Sequence, residues 1–253
     1  MLKRIVLGLL ALVGLAVIGL AANALRQGSR QIDVPPLAPL ALDVPAIAAS
    51  LGAAVRARTI SLEEGGEQAA PAFAALHAHL QARYPLVFAQ LTPEVVGGHS
   101  LLFTWQGSEP GAKPIGLMAH QDVVPIAPGT EGDWQQPPFS GVIEGGFVWG
   151  RGAWDDKGNL IAELEAVERL LADGFKPRRT VYLMFGHDEE IGGQQGAAQI
   201  AALLQQRGIK LDFVLDEGLL IISGVLPGLD VPAAAIGIAE KGYLTVKLSV
   251  PAA

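Results

Sequence analysis

Four acid-rich segments, each placed after an apolar run, constrain the fold of this chain more than any other feature. In chain order they are MAHQDVVP at 118–125, GRGAWDDKG at 150–158, GHDEEIGG at 186–193 and DFVLDEG at 212–218. Short apolar runs are typical of buried strands, and open α/β sheets bind ligands at the carboxyl ends of their strands. We therefore predict that four strand ends bring these segments together at one edge of a sheet.

Hydrophobic spacing predicts the helices and strands around these segments. Predicted helices cover about 46–58, 67–83, 159–173 and 194–207. Predicted strands cover about 101–105, 115–119, 180–185 and 211–215. In the third helix the buried stripe is Leu160, Leu164, Val167 and Leu171, and Gly174 stands where a C-terminal cap is expected. The alternation predicts an α/β domain with a mixed, largely parallel central sheet flanked by helices.

The composition excludes several kinds of chemistry. The 253 residues contain no Cys, which removes thiolate metal sites, disulfides and cysteine nucleophiles together. The formal net charge is −7 and no basic run follows the first residues, so no nucleic-acid partner is expected. Half of the residues are apolar, as in a globular domain rather than a disordered chain. Acidic side chains are therefore the main candidates for chemistry.

The amino terminus predicts a membrane or secretory segment. Two basic residues precede an apolar run at 5–25, and roughly 20 helical residues span a bilayer core of about 30 Å. One interpretation makes residues 1–25 an uncleaved transmembrane anchor. The other is a signal peptide cleaved near Ala24, which gives a secreted or periplasmic protein. Both place the remainder outside the cytoplasm. Residues 26–43, rich in Pro and polar side chains, predict an extended linker.

His120 and Asp122 follow the predicted strand at 115–119. In extended backbone, residues i and i+2 point to the same side, so the Asp122 carboxylate can face the imidazole of His120. Carboxylates in this position fix the orientation of metal-binding imidazoles. Ordinary loops also contain this spacing, so the pair indicates a metal site only in combination with the other three segments.

The remaining acids form three adjacent pairs: Asp155-Asp156, Glu189-Glu190 and Asp216-Glu217. The first pair precedes a helix, where capping requires only one acid. Adjacent carboxylates repel each other unless cations offset the charge, and one metal ligand beside one general base would use both members of a pair. Solvated loop acids are the alternative for any single pair. Four segments in order favour the oxygen-rich ligand set of a two-metal hydrolase.

The combined motifs resemble metallopeptidase family 20, the di-zinc hydrolases that include carboxypeptidase S, aminoacylase and acetylornithine deacetylase. The resemblance rests on HQDVVP, GRGAWDDKGN, GHDEEIGG and LDEG, and it covers about residues 95–250. The segment at 134–158 looks closest to the carboxypeptidase S and N-acyl-amino-acid hydrolase branch. The resemblance implies a zinc-peptidase-like catalytic domain at 44–240, followed at 241–253 by the start of an inserted lid or dimerisation domain.

The resemblance implies a role for each matching residue. The metal ligands are His120 for one zinc, Asp155 as the bridge, Glu190 for the second zinc, and Asp216 or Glu217 as the last ligand from this half. Of the last two we favour Asp216. Asp122 orients the histidine, and Glu189 is the general base. Asp156 and Lys157 are assigned a structural role at the helix start. Zinc is the expected metal, with cobalt and manganese as alternatives.

The implied reaction is hydrolysis of an amide or peptide bond beside a free carboxylate, as in a carboxypeptidase or an N-acyl-amino-acid hydrolase. The substrate is then a short peptide or an N-acyl amino acid. Two metals hold a water molecule and polarise the carbonyl group. Glu189 takes the proton of that water and passes it to the leaving amine.

The chain departs from the family pattern in its histidines. A complete family site uses one further histidine from far downstream, whereas the five here are His77, His79, His99, His120 and His187. His187 is the local, less favoured candidate to replace it. Relatives enter the inserted domain, which supplies the dimer contact, near the last residues of this sequence. We therefore expect an amino-terminal part that is inactive in this form, with a homodimer requiring the missing domain. The alternative is a non-catalytic truncated product that binds at most one metal or a partner.

Overall fold

The computed structural model describes residues 2–27, 34–35, 38, 40–62, 70–218, 220–225, 227–239, 242, 244, 246 and 248–249. The chain divides into two units, Met1–Leu42 and Asp43–Ala253. Much of the predicted linker, the first residues of the helix predicted at 67–83, and most of 240–253 lie outside the described residues.

The first unit is a single long helix, α1 (Leu2–Arg26). The span Lys3–Arg26 contains an 18-residue window with a mean hydropathy of 2.8 and is long and apolar enough to cross a membrane. The large apolar side chains of α1 are exposed rather than packed in a core. The anchor and the signal peptide both remain proposals.

A five-stranded mixed sheet organises the second unit. Its strands are β1 (Glu94–Val96), β2 (Ser100–Trp105), β3 (Ile115–His120), β6 (Val181–Gly186) and β7 (Val214–Leu215). The spatial order is β1-β2-β6-β3-β7. Strands β6, β3 and β7 run parallel, and β1 and β2 are added in antiparallel pairing. The predicted mixed, largely parallel sheet is confirmed, and its three parallel strands point their carboxyl ends to one edge.

Helices cover both faces of this sheet. On one face the core is built from α2 (Val44–Arg56), α3 (Ala70–Arg83), α4 (Pro85–Leu91) and α5 (Lys157–Ala172). On the other face lies α6 (Ala197–Gln206). Because side chains alternate along a strand, Leu183 and Phe185 enter the first core, while Tyr182 and Met184 enter the second. Burial on both faces explains why β6 is a continuous apolar run.

The predicted helices and strands agree with the structure, except for the length of the last sheet strand and for several short elements in the connections. Helix α5 ends as expected: Gly174 has φ +69°, and its N–H donates to the carbonyl of Leu171. The strand predicted at 211–215 shortens to Val214–Leu215. Helix α4 and the separate hairpins β4–β5 (Val142–Glu144, Phe147–Trp149) and β8–β9 (Ile221–Ile222, Ala233–Ala234) were not predicted.

Glu163 on α5 gives a prediction about stability. In the part of the chain that the structure describes, its Oε2 is buried without a hydrogen-bond partner. Burial, helped by the charges of Asp156 and Asp216, raises the pKa of Glu163 to about 9. Because this folded-state pKa lies above the unfolded value, the stability that the group contributes is complete below pH 4.5 and is lost as the pH rises towards 9.

We expect Glu163→Gln to stabilise the metal-free protein by about 2 kcal/mol or more at pH 8 and by little at pH 5. Thermal unfolding at both pH values in the presence of a chelator measures this. The control is Glu165→Gln on the same helix, because Glu165 pairs with Arg83 at 2.6 Å and accepts the Tyr84 hydroxyl at 3.2 Å. That variant should lose stability. A Glu163→Gln effect that is equal at both pH values would contradict the prediction.

Candidate metal centre

His120 is the last residue of β3, at the centre of the parallel part of the sheet. The strand is held in register up to this point, since the N–H of the following Gln121 donates to the carbonyl of Gly186 at 2.8 Å. The buried imidazole has Nδ1 at 3.1 Å from the backbone oxygen of Asp122 and 3.4 Å from its Oδ1. Nε2 is thereby directed to the carboxylate cluster.

Asp122 connects His120 to the loop after β6. Its Oδ1 accepts the N–H of Glu189 at 3.1 Å, and its Oδ2 accepts the N–H of Glu190 at 3.2 Å. The Ser61 hydroxyl also donates to Oδ2, at 2.5 Å. Burial alone raises the pKa of Asp122, but the hydrogen bonds with His120 and Ser61 outweigh it and lower the pKa overall. An ionised carboxylate thus fixes both the histidine and the two glutamates.

Asp155 and Asp156 reach the centre by a route that the sequence did not predict. We expected all four acidic segments at strand ends of the sheet; instead this pair precedes α5, after a hairpin that is not paired to the sheet. The connection from β3 to α5 nevertheless brings both aspartates back to the end of β3. Asp155 Oδ1 then lies 2.9 Å from His120 Nε2, and Asp156 Oδ2 accepts the N–H of His120 at 3.1 Å.

Glu189 and Glu190 lie in a short 3₁₀ turn directly after β6. Glu189 Oε2 is 3.8 Å from His120 Nε2, and Glu190 Oε1 accepts the N–H of Val124 at 3.2 Å. Partial burial raises the pKa of both glutamates. The raised pKa of Glu189 makes its carboxylate a better proton acceptor than a solvated one.

Glu217, rather than Asp216, turns towards the histidine. Its Oε1 lies 3.6 Å from His120 Nε2, whereas the exposed Asp216 accepts the N–H of Glu217 through its own Oδ1 at 2.9 Å. Two groups of three side chains could each hold a metal ion. Within each group every residue offers one ligand atom, and these atoms lie within 4.8 Å of one another. These groups are His120, Asp155 and Glu190, and His120, Asp156 and Glu217. Both groups share His120, and both Asp155 and Glu217 approach its Nε2.

The charges of this centre call for a cation. Burial alone lowers the pKa of His120, but the hydrogen bond to Asp122 and the surrounding carboxylates raise it to about 10. Burial and neighbouring carboxylates raise the pKa of Glu217 to about 7, against the charge of His120, which lowers it. Without a metal, bound protons on His120 and Glu217 therefore reduce the repulsion among the carboxylates. The donors, one imidazole and several carboxylates, fit zinc or another divalent transition metal.

Lys157 has the structural role that the sequence assigned to it. Its buried Nζ donates to the carbonyls of Ala54 at 3.0 Å and Ala57 at 2.6 Å, at the carboxyl end of α2. Asp156 is not only a helix-start residue, since it also belongs to one of the two ligand groups. The Lys157 ammonium thus ties the loop that carries Asp155 to the first helix of the domain.

Among the described residues, the other histidines belong to neither ligand group. His187 Nδ1 is 2.6 Å from Ser100 Oγ, and its ring meets the His99 ring edge-on at 5.6 Å. His99 stacks on Phe73, and His77 Nε2 lies 2.6 Å from Gln121 Oε1. The idea that His187 replaces a missing metal ligand finds no support in this geometry. Sequence reasoning also missed Ser61, because a lone Ser after a helix carries no local signal.

The mixed sheet and the histidine–carboxylate centre at its parallel strand ends are the architecture of a metal-dependent hydrolase. Residues 116–240 match the peptidase family M20/M25/M40, and the chain belongs to that family. The family expected from the motifs is thereby confirmed.

Three relatives illustrate the match. The chain is 41% identical over 241 residues to a probable carboxypeptidase S-like protein of Dictyostelium discoideum, covering 91% of this chain and 46% of the relative. It is 47% identical to an N-fatty-acyl-amino acid synthase/hydrolase of Danio rerio, covering 78% of this chain and 38% of the relative. It is 45% identical to carboxypeptidase S of Saccharomyces cerevisiae, covering 70% of this chain and 31% of the relative. The chain thus spans less than half the length of these relatives.

Solved structures give the same fold. An M20 family metallo-carboxypeptidase from Sulfolobus solfataricus superposes with a TM-score of 0.52 at 25% identity, covering 68% of this chain and 37% of that one. Human carnosine dipeptidase 1 superposes with a TM-score of 0.52 at 18% identity, with 70% and 39% covered, and shows the fold alone.

Proposed function

We propose that this chain carries the metal centre of a zinc-dependent hydrolase that cleaves an amide or peptide bond beside a free carboxylate. The observation that carries the proposal is that His120 belongs to both groups of side chains that could hold a metal, with the Glu189 carboxylate 3.8 Å from its Nε2. The names of the relatives support an N-acyl amino acid or a short peptide as substrate. Zinc is the proposed metal, with cobalt and manganese as alternatives.

Each residue has one task in the proposed mechanism. His120, Asp155 and Glu217 would hold one metal, and Asp155 and Glu190 would contribute ligands to the second. When bound, the metals polarise the substrate carbonyl and lower the pKa of the attacking water. The Glu189 carboxylate accepts the proton of that water and delivers it to the leaving nitrogen. Asp122 keeps the imidazole and the backbone of Glu189 in place.

The choice between Asp216 and Glu217 as ligand can be tested directly. From the sequence we favour Asp216, whereas the 3.6 Å approach of Glu217 to His120 supports Glu217. We expect Glu217→Gln to weaken zinc binding by about tenfold or more, because it removes a carboxylate from the centre. Asp216→Asn should change the affinity less than threefold. Competition with a chromogenic chelator measures both zinc affinities. A larger loss of affinity in Asp216→Asn than in Glu217→Gln would make Asp216 the ligand.

The two metal positions differ in ligand supply. Among the described residues the centre contains one imidazole, His120, so a second metal that does not share it has only carboxylate ligands such as Asp155 and Glu190. Catalytic zinc sites usually have three protein ligands. We therefore propose that the 253-residue chain by itself binds one metal firmly and the second weakly, with little or no turnover.

The function is tested in a complete hydrolase. Residues 44–239 replace the corresponding segment of the Dictyostelium relative, and release of free amino acid from N-acyl amino acids and dipeptides is measured with and without a chelator. We expect chelator-sensitive release that zinc restores. A well-folded graft that binds zinc but cleaves neither class, while the unmodified relative does, would reject the proposed reaction. It would favour the metal-binding, non-catalytic alternative.

The remaining assignments of the chain are proposals of the same kind. Residues 1–25 anchor the protein in a membrane, with the metal centre outside the cytoplasm, or are cleaved near Ala24; residues 26–43 link them to the catalytic domain at 44–240. Residues 241–253 would begin the inserted domain that forms a homodimer. Amino-terminal sequencing of the mature protein separates anchor from signal peptide.

A further inference from the structure

An extended segment after α2 adds its backbone to the residues that follow His120. Ile60 bridges Val123 in parallel. The N–H of Ser61 donates to the carbonyl of Val123, and the N–H of Val123 donates to the carbonyl of Thr59, both at 3.0 Å. Residues 59–61 thus pair with the backbone next to Asp122, just after the end of β3.

The Ser61 side chain makes the contact that matters most. It is 2% exposed, and its hydroxyl donates to Oδ2 of Asp122, which is completely buried, at 2.5 Å. This length is that of a strong hydrogen bond to an ionised carboxylate. The same Oδ2 accepts the N–H of Glu190, and Oδ1 accepts the N–H of Glu189 and faces His120. Ser61 therefore fixes the rotation of a carboxylate that has four partners.

We propose that Ser61 is a positioning residue of the metal centre, acting through Asp122 on His120 and on the backbone of Glu189 and Glu190. Its consequence for catalysis rests on the proposed function, but its effect on the geometry of the centre does not. Ser61 lies outside residues 116–240, the segment that matches the family. The centre is thus completed by a part of the chain that precedes that segment.

Thr59 provides a matched control in the same segment. It is also completely buried, and its Oγ1 donates at 2.6 Å, but the acceptor is the backbone carbonyl of Gln121 rather than a side chain of the centre. Thr59→Val removes a buried hydroxyl whose hydrogen bond is similar in length to that of Ser61, and it keeps the volume of the side chain. Any general loss of stability in the segment should therefore appear in both Ser61→Ala and Thr59→Val.

The test uses the full chain in detergent and two readouts. In the metal-free protein, hydrogen exchange of the segment containing the Glu189 and Glu190 amides should become about tenfold faster in Ser61→Ala. In chelator competition, Ser61→Ala should bind zinc about tenfold more weakly, as other residues that orient metal ligands do when replaced. Ser61→Thr, which retains the hydroxyl, should restore both values to within threefold, and Thr59→Val should change neither.

Three outcomes would overturn the proposal. Ser61→Ala with exchange and zinc affinity like those of the parent chain shows that the hydroxyl is not needed. Equal changes in Thr59→Val, or no rescue by Ser61→Thr, reduce Ser61 to a packing residue. Because hydrogen exchange is measured without metal, these results remain separate from a failure of the proposed function, which would appear as a parent chain that binds no zinc.

Discussion

Replacement of Glu189 by Gln is expected to lower kcat by about 100- to 10,000-fold while zinc binding stays within threefold of the parent value. A glutamine amide cannot accept the proton of the attacking water, yet it keeps the size and the backbone N–H that donates to Asp122. Glu189 belongs to neither ligand group. The rate is measured in the graft with an N-acyl amino acid, and zinc binding by chelator competition.

The control for this prediction is Glu144→Gln. Glu144 is an exposed carboxylate on β4 and belongs to neither ligand group. Its loss should leave both the rate and the zinc affinity unchanged. A Glu189→Gln graft that hydrolyses at the parent rate would remove Glu189 from the mechanism. A variant that loses zinc as well would make Glu189 a ligand instead of the base.

His120→Ala is expected to have the largest effect on metal binding. His120 is the one residue shared by both ligand groups, so its removal leaves each with carboxylates alone. Replacing a residue that merely orients a ligand costs about 10- to 100-fold in affinity, and loss of the ligand itself should cost at least about 100-fold. Titration calorimetry with zinc on the 253-residue chain measures the change.

The matched variant is His187→Ala, since His187 is also buried, lies 2.6 Å from Ser100 Oγ through Nδ1, and belongs to neither ligand group. It should keep the zinc affinity, even if it loses stability. The pH gives a further check on His120: because the surrounding carboxylates raise its pKa to about 10, protons compete with zinc, and affinity should rise steadily from pH 6 to pH 9. Equal zinc binding by His120→Ala and the parent chain would place the metal elsewhere.

Much of the centre was predictable because local sequence determines local structure. Strand β6 is buried on both faces and reads as an uninterrupted apolar run, so its end, and with it the position of Glu189 and Glu190, could be placed to within a residue. The same holds for His120 at the end of β3. Adjacent like charges after such runs indicate a cation, whatever the exact fold.

Other positions were decided by loops, where one rotation of the backbone changes the direction of a side chain. Nothing in the sequence of Asp216-Glu217 states which carboxylate turns to His120, because neighbouring residues in extended chain point to opposite sides. The structure brings Glu217 closer. Likewise, Asp155 follows a hairpin outside the sheet, and only the return of the chain to the end of β3 carries it to His120.

The sequence by itself determined the family and the alternation of strands and helices, and it predicts the residue types of the candidate metal centre, because each depends on patterns a few residues long. Tertiary structure alone decided that Ser61 holds Asp122, that Lys157 caps the end of α2, and that His187 contacts Ser100 and the His99 ring. These contacts join residues about 60 to 100 positions apart. They depend on how packed elements meet, which no local pattern records.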